Sequence, residues 1–482
     1  MSETRGNQTW MEQLHAAVRQ IGGAVRTDWR GARYLPFAVL LAIIAGLVAA
    51  AYYANQPKVP HDPDSINYLH MSHTVFRGHL VGDIRTPVYP MFIEVIQVIA
   101  GSGNLAAISA AQAALYVLAV VGIYGLAGIL LRGAWLAFVV SMPLALNVLL
   151  LSYVAPILSE ALTLFLLVAF ALALAWYVFT TRARSLWLAS GLLFAAGMTR
   201  PEWIFFGVVL IAFALVVAWQ RDQLKRLLPH ALSILLVFYA LCGAYVLVNA
   251  AQHDVPGISA NQNLDLLGKV MQYGMQNEAP PEYAAITAEV NRYVAAGDYD
   301  PFHVMAADPA LQQHHFALCG TYAKAIILHH PAEFALRTVP VIFQSVTVAR
   351  PHQPVVSGAR FGAPLLALHW IAARVQTVLI SFPVIALGWL IAFIWRRRQP
   401  DERVTLLCGL ALTTLFGLVI TSAATYGQYA RMDTPFNPLM VLVVGSTIVV
   451  LVRGAIGRRG SGGRRPSAMM AEPAGVTGER GE

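Results

Sequence analysis

Residues 157–179 have the sequence ILSEALTLFLLVAFALALAWYVF, and this stretch decides the fold. It contains no charged side chain between Ala161 and Phe179. A helix needs about 20 consecutive apolar residues to cross the hydrocarbon core of a bilayer. The stretch therefore predicts a transmembrane helix that has Ser159 and Glu160 at its entrance.

Similar apolar runs recur along the chain, and together they predict an all-α polytopic membrane protein with about ten transmembrane helices. Of the 482 residues, 57% are apolar and 12% charged, whereas soluble domains are about 25% charged. This composition excludes a disordered chain, a coiled coil and a secreted disulfide scaffold. The other predicted spans are 34–54, 105–131, 134–151, 186–198, 203–219, 229–251, 376–395, 404–424 and 435–453.

The basic residues predict the orientation of the chain in the membrane. The formal net charge is +8, but Lys and Arg fall in short clusters between the apolar runs, which indicates membrane topology rather than nucleic-acid binding. Short cytoplasmic loops collect Lys and Arg, so we expect both termini in the cytoplasm. The clusters placed inside by this orientation are Arg132, Arg182 with Arg184, Arg221 with Lys225 and Arg226, Arg396–Arg398 with Arg403, and Arg453 with Arg458 and Arg459.

The hydrophobic pattern and the predicted orientation together divide the chain into five parts. The first contains Trp10, Leu14, Val18, Ile21 and Val25, whose helical spacing predicts an interfacial helix ahead of the first span. The predicted parts are a cytoplasmic N-terminal segment (1–33), a first transmembrane module (34–251) that includes the outer loop 55–104, a mostly helical outer domain (252–375), C-terminal transmembrane helices (376–453) and a disordered cytoplasmic tail (454–482).

Three carboxylates stand at the predicted outer ends of spans. Asp62 and Asp64 follow the first span, separated by Pro63, and Glu160 opens the span quoted above. A carboxylate there can act as a general base, and it can equally cap a helix, with Asp64 or Ser65 as the expected cap after Pro63. Both interpretations remain open from spacing alone.

Arginines also occur on the predicted outer side, where they are usually scarce. Arg85, Arg200, Arg350 and Arg431 are the main examples, and Glu202 follows Arg200 closely. Guanidinium groups bind phosphate bidentately, so we expect a phosphate or pyrophosphate partner, with anchoring to lipid headgroups as the alternative. His314-His315 and His329-His330 lack the i, i+4 spacing of a helical zinc site.

Several local motifs resemble the polyprenyl-phosphate-dependent GT-C glycosyltransferases, which include protein O-mannosyltransferases and the lipid A aminoarabinose transferase. The motifs occur in the family's order over about residues 34–453, although 252–330 matches little. They are Asp64-Ser65 with Tyr68 and Gly78, the run Arg85-Thr86-Pro87-Val88-Tyr89-Pro90, Ser159-Glu160, Arg200-Pro201-Glu202, Tyr429-Ala430-Arg431 through Pro438, and the weaker His330-Pro331 with Glu333-Phe334.

The resemblance implies roles for these residues in an active site on the outer face of the membrane. The bias toward Ala, Arg and Gly and the short loops indicate a bacterial inner membrane. The position that matches the family's base is Asp64, and Asp62 competes because Pro63 interrupts the contiguous acidic pair of many relatives. Glu160 would orient the sugar or the acceptor. Arg200, Arg431, Arg85 and Arg350 would bind the donor phosphate, and Tyr68, Tyr89, Glu202 and Tyr429 would position the substrate.

The resemblance further implies a polyprenyl-phosphate-linked sugar as donor and a lipid, glycan or protein as acceptor. Neither a cofactor nor a nucleic-acid partner is expected, and the family differs on divalent metals, so a metal stays open. Three other functions compete: a transporter or flippase for lipid-linked sugars, an O-antigen ligase-like transferase, and a structural subunit whose outer domain binds a partner. Loss of turnover without loss of fold in Asp64→Asn would separate an enzyme from the structural subunit.

Overall fold

The structure is a computed structural model that describes residues 33–56, 58–59, 62–347, 351–395, 401–427 and 429–461. Within these ranges all regular secondary structure is helical, which confirms the predicted all-α class. The predicted N-terminal interfacial helix, Arg350 and the tail from residue 462 lie outside the described residues.

The helices follow one another along the chain with short connections in most places. The α-helices are α1 (Leu35–Asn55), α2 (Pro63–Ser72), α3 (Val88–Ala100), α4 (Leu105–Leu131), α5 (Ala134–Ala145), α6 (Val148–Val154), α7 (Glu160–Thr180), α8 (Ala183–Gly197), α9 (Phe206–Gln220), α10 (Leu224–His253), α11 (Asn261–Gln272), α12 (Ala284–Ala295), α13 (Pro301–Ala307), α14 (Pro309–His329), α15 (Pro331–Thr347), α16 (Gly362–Val378), α17 (Phe382–Trp395), α18 (Glu402–Ala424), α19 (Tyr429–Met432) and α20 (Asn437–Ser461). Short 3-10 helices occupy Pro201–Phe205, Gln276–Glu278, Pro281–Tyr283 and Leu379–Ser381.

Among the described residues, 7 helical segments are long and apolar enough to cross a membrane, and the bent α5–α6 pair makes an eighth if it is one span. The chain is therefore a multi-pass membrane protein. The predicted count of about ten is not confirmed. It included α8 and α20, whose apolar parts are shorter than the other spans. The segments that qualify are α1, α4, α7, the 3-10 helix with α9, α10, α16 with α17, and α18.

The predicted span 134–151 is broken rather than straight. Helices α5 and α6 meet at an angle of 57°. Pro143 lies inside α5, and proline lacks the N–H of the helical hydrogen bond at its position. The Asn147 side chain then accepts a hydrogen bond from the Leu150 backbone N–H at 2.8 Å and starts α6.

Helix α7 lies at the centre of the bundle. It packs against α4, α8 and α18, and α7 and α18 are the most deeply buried of the candidate spans. Helices α1 and α10 are peripheral and present apolar side chains outward, such as Leu236 and Leu247 on α10. Such a surface is stable against lipid acyl chains, because they are as apolar as the side chains.

The segment predicted as an outer domain forms helices with a core of their own. Leu267 and Met271 on α11 pack with Tyr322 on α14, and this core is separate from that of the membrane bundle. The last part of this segment, from Gly362 onward, belongs to a candidate membrane span. Helix α16 begins at Gly362 and continues through a short 3-10 turn into α17, so this candidate span starts 14 residues before the predicted position 376.

The polar residues His369 and Arg374 conceal this earlier start in the sequence. The Arg374 guanidinium lies over the Trp370 ring, 4.9 Å from the ring centroid, which is a cation–π contact. At the other end, α20 continues to Ser461, so residues 454–461 are helical where the sequence predicts a disordered tail. Extending an existing helix fixes one residue for each added hydrogen bond, so it costs far less conformational entropy than starting a new helix.

Candidate active site

Two aspartates occupy the first turn of α2, and they have different tasks. The Asp62 side chain accepts a hydrogen bond from the Asp64 backbone N–H at 3.0 Å, while the Ser65 hydroxyl accepts one from the Asp62 backbone N–H at 3.0 Å. This reciprocal arrangement is a capping box with Pro63 at the first helical position. The expectation that Asp64 or Ser65 is the N-cap is therefore wrong, since Asp62 caps the helix and the Asp64 carboxylate is available for other partners.

Arg431 brings the three predicted carboxylates together. Its Nε atom lies 2.5 Å from Glu160 Oε1, one terminal nitrogen lies 2.8 Å from Asp64 Oδ2, and the other lies 3.9 Å from Asp62 Oδ1. The guanidinium is almost wholly buried. These residues come from α2, α7 and α19, so one arginine joins three separate parts of the chain.

Each carboxylate also has a second cationic or imidazole partner. Arg85 lies 2.5 Å from Asp64, Arg200 lies 3.5 Å from Glu160, and the His352 Nε2 atom lies 2.9 Å from Asp62. Arg200 additionally donates to Glu202 at 2.7 Å and contacts the sulfur of Met432. We call the set Asp62, Asp64, Arg85, Glu160, Arg200, Glu202, His352 and Arg431 the ion cluster.

The carboxylates of the ion cluster differ in their access to solvent. The Asp64 side chain is 28% exposed, against 8% for Asp62 and 1% for Glu160. Burial disfavours the charged form of Asp62, but hydrogen bonds from His352 and the Asp64 backbone, with the charge of Arg431, hold its pKa at about 2. The oxygens of both aspartates are engaged within the ion cluster, those of Asp64 by Arg85 and Arg431. The greater exposure of Asp64 makes it the more accessible candidate.

The guanidinium groups retain hydrogen-bonding capacity. Arg85 Nε and Arg200 Nη1 are buried and have no hydrogen-bond partner within the described part of the chain. A buried donor without a partner costs roughly 1–3 kcal/mol. Both donors belong to the ion cluster, where an anionic group could satisfy them. Burial disfavours the charged form of Arg431, but Glu160 and Asp64 outweigh this and raise its pKa further.

The predicted tyrosines lie at different depths. The Arg85 guanidinium lies over the Tyr68 ring, 4.8 Å from its centroid, and the Tyr68 hydroxyl lies 3.4 Å from the Ser159 hydroxyl. Tyr89 packs edge-on against Tyr68 with centroids 4.8 Å apart, and it donates to Gln112 at 3.0 Å. Tyr89 is fully buried and lies against Tyr68, so it is not itself accessible from outside the protein. Of the remaining predicted site residues, the Tyr429 side chain and all of Arg350 lie outside the described residues.

Three further residues belong to this region that no local sequence pattern singles out. His352 stacks on Tyr153, with ring centroids 5.7 Å apart, and reaches Asp62 from 290 residues further along the chain. Burial, followed by the charge of Glu202, raises the pKa of Asp265 on α11 to about 7, and Asp64 and Arg85 lie near enough to act on it too. Burial likewise raises the pKa of Asp433 to about 7, against hydrogen bonds from Ser345 and Thr421. A long-range ion pair leaves no local sequence signal, which is why His352 escaped selection.

Comparison with known families gives one match, over residues 84–245, to the model described as dolichyl-phosphate-mannose-protein mannosyltransferase. The resemblance to GT-C glycosyltransferases is confirmed. The matched range contains Arg85, Tyr89, Glu160 and Arg200, while Asp64 precedes it and Arg431 follows it. No curated protein matches the chain.

Two similar solved structures are both oligosaccharyltransferases from Archaeoglobus fulgidus. One is the archaeal oligosaccharyltransferase AglB in complex with an inhibitory peptide and a dolichol-phosphate, at 12% identity and a TM-score of 0.47, covering 91% of this chain and 53% of the other. The second is tethered to an acceptor peptide containing the NVT sequon, at 13% identity and a TM-score of 0.45, covering 91% and 52%. The chain thus spans about half the length of these two proteins.

Proposed function

We propose that this chain is a membrane glycosyltransferase of the GT-C type, which moves a sugar from a polyprenyl-phosphate carrier to an acceptor hydroxyl on the outer face of the membrane. The observation that carries this proposal is the ion cluster itself. It combines one partly exposed carboxylate, Asp64, with the buried guanidinium groups of Arg85, Arg200 and Arg431. Glycosyl transfer from a lipid phosphate needs both a base for the acceptor and cations for the leaving group.

In the proposed reaction, an Asp64 oxygen accepts the proton of the acceptor hydroxyl as that oxygen attacks the anomeric carbon. The bond between the anomeric carbon and the phosphate oxygen breaks, and the electron pair leaves with polyprenyl phosphate. A single displacement of this kind inverts the anomeric configuration. The exposed fraction of Asp64 supports its role, because a general base must come within hydrogen-bond reach of the proton that it removes.

The leaving phosphate is expected to bind to Arg85 and Arg200 first. Each has a buried nitrogen that makes no hydrogen bond within the described residues, Arg85 Nε and Arg200 Nη1, although Arg200 Nη1 lies 3.5 Å from Glu160. A guanidinium binds phosphate oxygens through directed, charge-assisted hydrogen bonds. Arg431 contributes positive charge while it remains paired with Glu160. Because Glu160 is buried, we expect it to position Arg431 and Arg200 rather than to touch the sugar or the acceptor.

The membrane sidedness of the site follows from α7 and the basic loops. Glu160 stands at the first residue of α7, whereas Arg182 and Arg184 follow its last residue. The site and the arginine-rich loop are therefore at opposite ends of one spanning helix. Since basic loops favour the cytoplasm, this arrangement supports a site on the periplasmic or extracellular face.

The test is transfer by the purified full-length chain in nanodiscs, supplied with radiolabelled polyprenyl-phosphate mannose, glucose, galactose or aminoarabinose, with and without EDTA. We expect one donor to release polyprenyl phosphate, and Asp64→Asn and Arg85→Gln to abolish most of that release. Asp308→Asn is the matched control, because Asp308 caps α14 far from the ion cluster in sequence and asparagine caps as well.

Two results would contradict the proposal. Binding of the lipid-linked sugars by folded wild-type protein without any cleavage would favour a transporter or flippase. Release that persists in Asp64→Asn would remove Asp64 from the reaction. A third result would favour the ligase-like transferases: donor release that occurs with an added lipid-linked glycan as acceptor and does not occur with a peptide or a free lipid.

A further inference from the structure

A second charged region lies at the other end of α7 and is a cavity of about 820 Å³. It lies where the connection between α7 and α8 meets the connection between α9 and α10. Its main polar lining consists of Arg182, Arg184, Arg221, Arg226 and His230, with Trp176 and Leu227 as apolar parts of the wall. We call it the basic cavity.

The basic cavity is separate from the ion cluster. Helix α7 runs for 21 residues from Glu160 to Thr180, and a helix of that length is roughly 30 Å long. Glu160 belongs to the ion cluster, while Thr180 lines the basic cavity. The two sites are thus on opposite sides of the bilayer, and the proposed sugar transfer gives the basic cavity no task.

The charged side chains that line the basic cavity are all basic. None of its lining residues is acidic. Arg221 donates to the Thr181 hydroxyl at 3.0 Å and lies 3.9 Å from Glu402, which is outside the lining. Its Nη2 atom is nonetheless buried without a hydrogen-bond partner among the described residues. Four arginines line one cavity, and the Arg221 Nη2 atom is the one that lies 3.9 Å from Glu402, beyond hydrogen-bond distance. This arrangement indicates an anionic ligand.

The surroundings favour a lipid as the source of that anion. Trp187 and Leu188 on α8, and Leu228 on α10, are exposed apolar side chains within a few residues of the lining arginines. A soluble anion gains nothing from such neighbours, whereas acyl chains of a lipid whose headgroup enters the cavity would cover them. The cavity volume lies in the range of small-molecule sites, which is about 300–1,000 Å³.

We propose that the basic cavity binds the phosphate headgroup of an anionic phospholipid from the cytoplasmic leaflet. The arginines engage the phosphate oxygens, and the acyl chains lie along the exposed apolar side chains of α8 and α10. The positive-inside distribution accounts for basic residues on this side of the membrane, but it does not account for their convergence on one cavity free of acidic lining.

The test is native mass spectrometry of the full-length chain in detergent, titrated with phosphatidylglycerol or with phosphatidylcholine. We compare wild type with the double variant Arg184→Gln/Arg226→Gln. The matched control is Arg33→Gln/Lys225→Gln, which removes the same charge from the same predicted face. Arg33 and Lys225 do not line the basic cavity, although Lys225 is adjacent to Arg226 in the chain. Melting temperatures verify that all three proteins are folded.

Each arginine near an anionic lipid contributes roughly a fivefold gain in affinity, so we expect the double variant to bind phosphatidylglycerol about 25-fold more weakly. Wild type and the control variant should bind it equally and prefer it over phosphatidylcholine. Equal binding of the two lipids, or an equal loss in the control variant, would overturn the proposal. Displacement of the lipid by a few millimolar inorganic phosphate would assign the cavity to a soluble anion and would also overturn it.

Discussion

The buried ion pair between Arg431 and Glu160 joins α19 to α7, and we expect it to stabilise the fold. Arg431→Gln and Glu160→Gln each remove one partner of an ion pair in which both side chains are at least nine-tenths buried. Breaking such a pair costs roughly 3–5 kcal/mol. After either substitution the remaining partner keeps one other ion pair, Glu160 with Arg200 at 3.5 Å or Arg431 with Asp64 at 2.8 Å. We therefore expect each single substitution to lower the free energy of unfolding by about 3 kcal/mol, the lower limit of that range.

The double variant separates this pair from its surroundings. Because both substitutions remove the same contact, we expect the double variant to lose only about 4 kcal/mol, which is a coupling energy of about 2 kcal/mol. The assay is reversible unfolding in mixed micelles with increasing SDS, followed by far-UV circular dichroism. Arg292→Gln is the control, because its pair with Glu289 is exposed and exposed ion pairs contribute little to stability. Additivity of the two single changes within about 0.5 kcal/mol would refute the reasoning.

Three further changes test the surroundings of the site. Gly268→Ala should lower the melting temperature and the turnover, because the added Cβ would lie 2.4 Å from the Tyr426 ring. Gly243→Ala on α10 is the control, because its Cβ would meet no atom and should not destabilise the protein. In thermal unfolding, Asp62→Ala should cost at least the 0.5–2 kcal/mol of a lost N-cap, while Asp62→Asn keeps the cap; equal stabilities would contradict the capping assignment. Asp265→Asn should leave the melting temperature nearly unchanged at pH 4 and raise it at pH 8. The pKa of Asp265 is about 7 in the folded protein, against an ordinary value of 3.8, so ionisation of this side chain destabilises the fold as the pH rises between those values. A lower melting temperature of the variant at pH 8 would contradict this.

The membrane class and several residues of the ion cluster could be predicted from the sequence because their signals are local. An uninterrupted apolar run such as that of α7 determines a span by its length alone. The placement of Asp64, Glu160 and Arg431 next to span ends likewise follows from their sequence neighbours. Their order along the chain then carried the resemblance to GT-C glycosyltransferases.

The pairings within the site were beyond prediction because they depend on how distant helices pack. Arg431 and Asp64 are 367 residues apart, and no local pattern states that their helices meet. The N-cap of α2 was misassigned because Asp62, Asp64 and Ser65 are all good capping residues, and the choice among them depends on backbone geometry. The predicted count of about ten spans is not confirmed, because α8, with 15 residues, and the apolar part of α20, Asn437–Arg453, are shorter than the other spans.

The most direct measurement of the central claim is the turnover number for release of polyprenyl phosphate by Asp64→Asn and by Asp62→Asn, with the donor that wild type uses. Removal of a general base typically costs a factor of about 10²–10⁴, so we expect that loss in Asp64→Asn, together with unchanged donor binding and an unchanged fold. Asp62→Asn keeps the cap of α2 and should retain turnover within about tenfold. A folded Asp64→Asn protein that turns over as fast as wild type, or an Asp62→Asn protein that alone is inactive, would contradict the account.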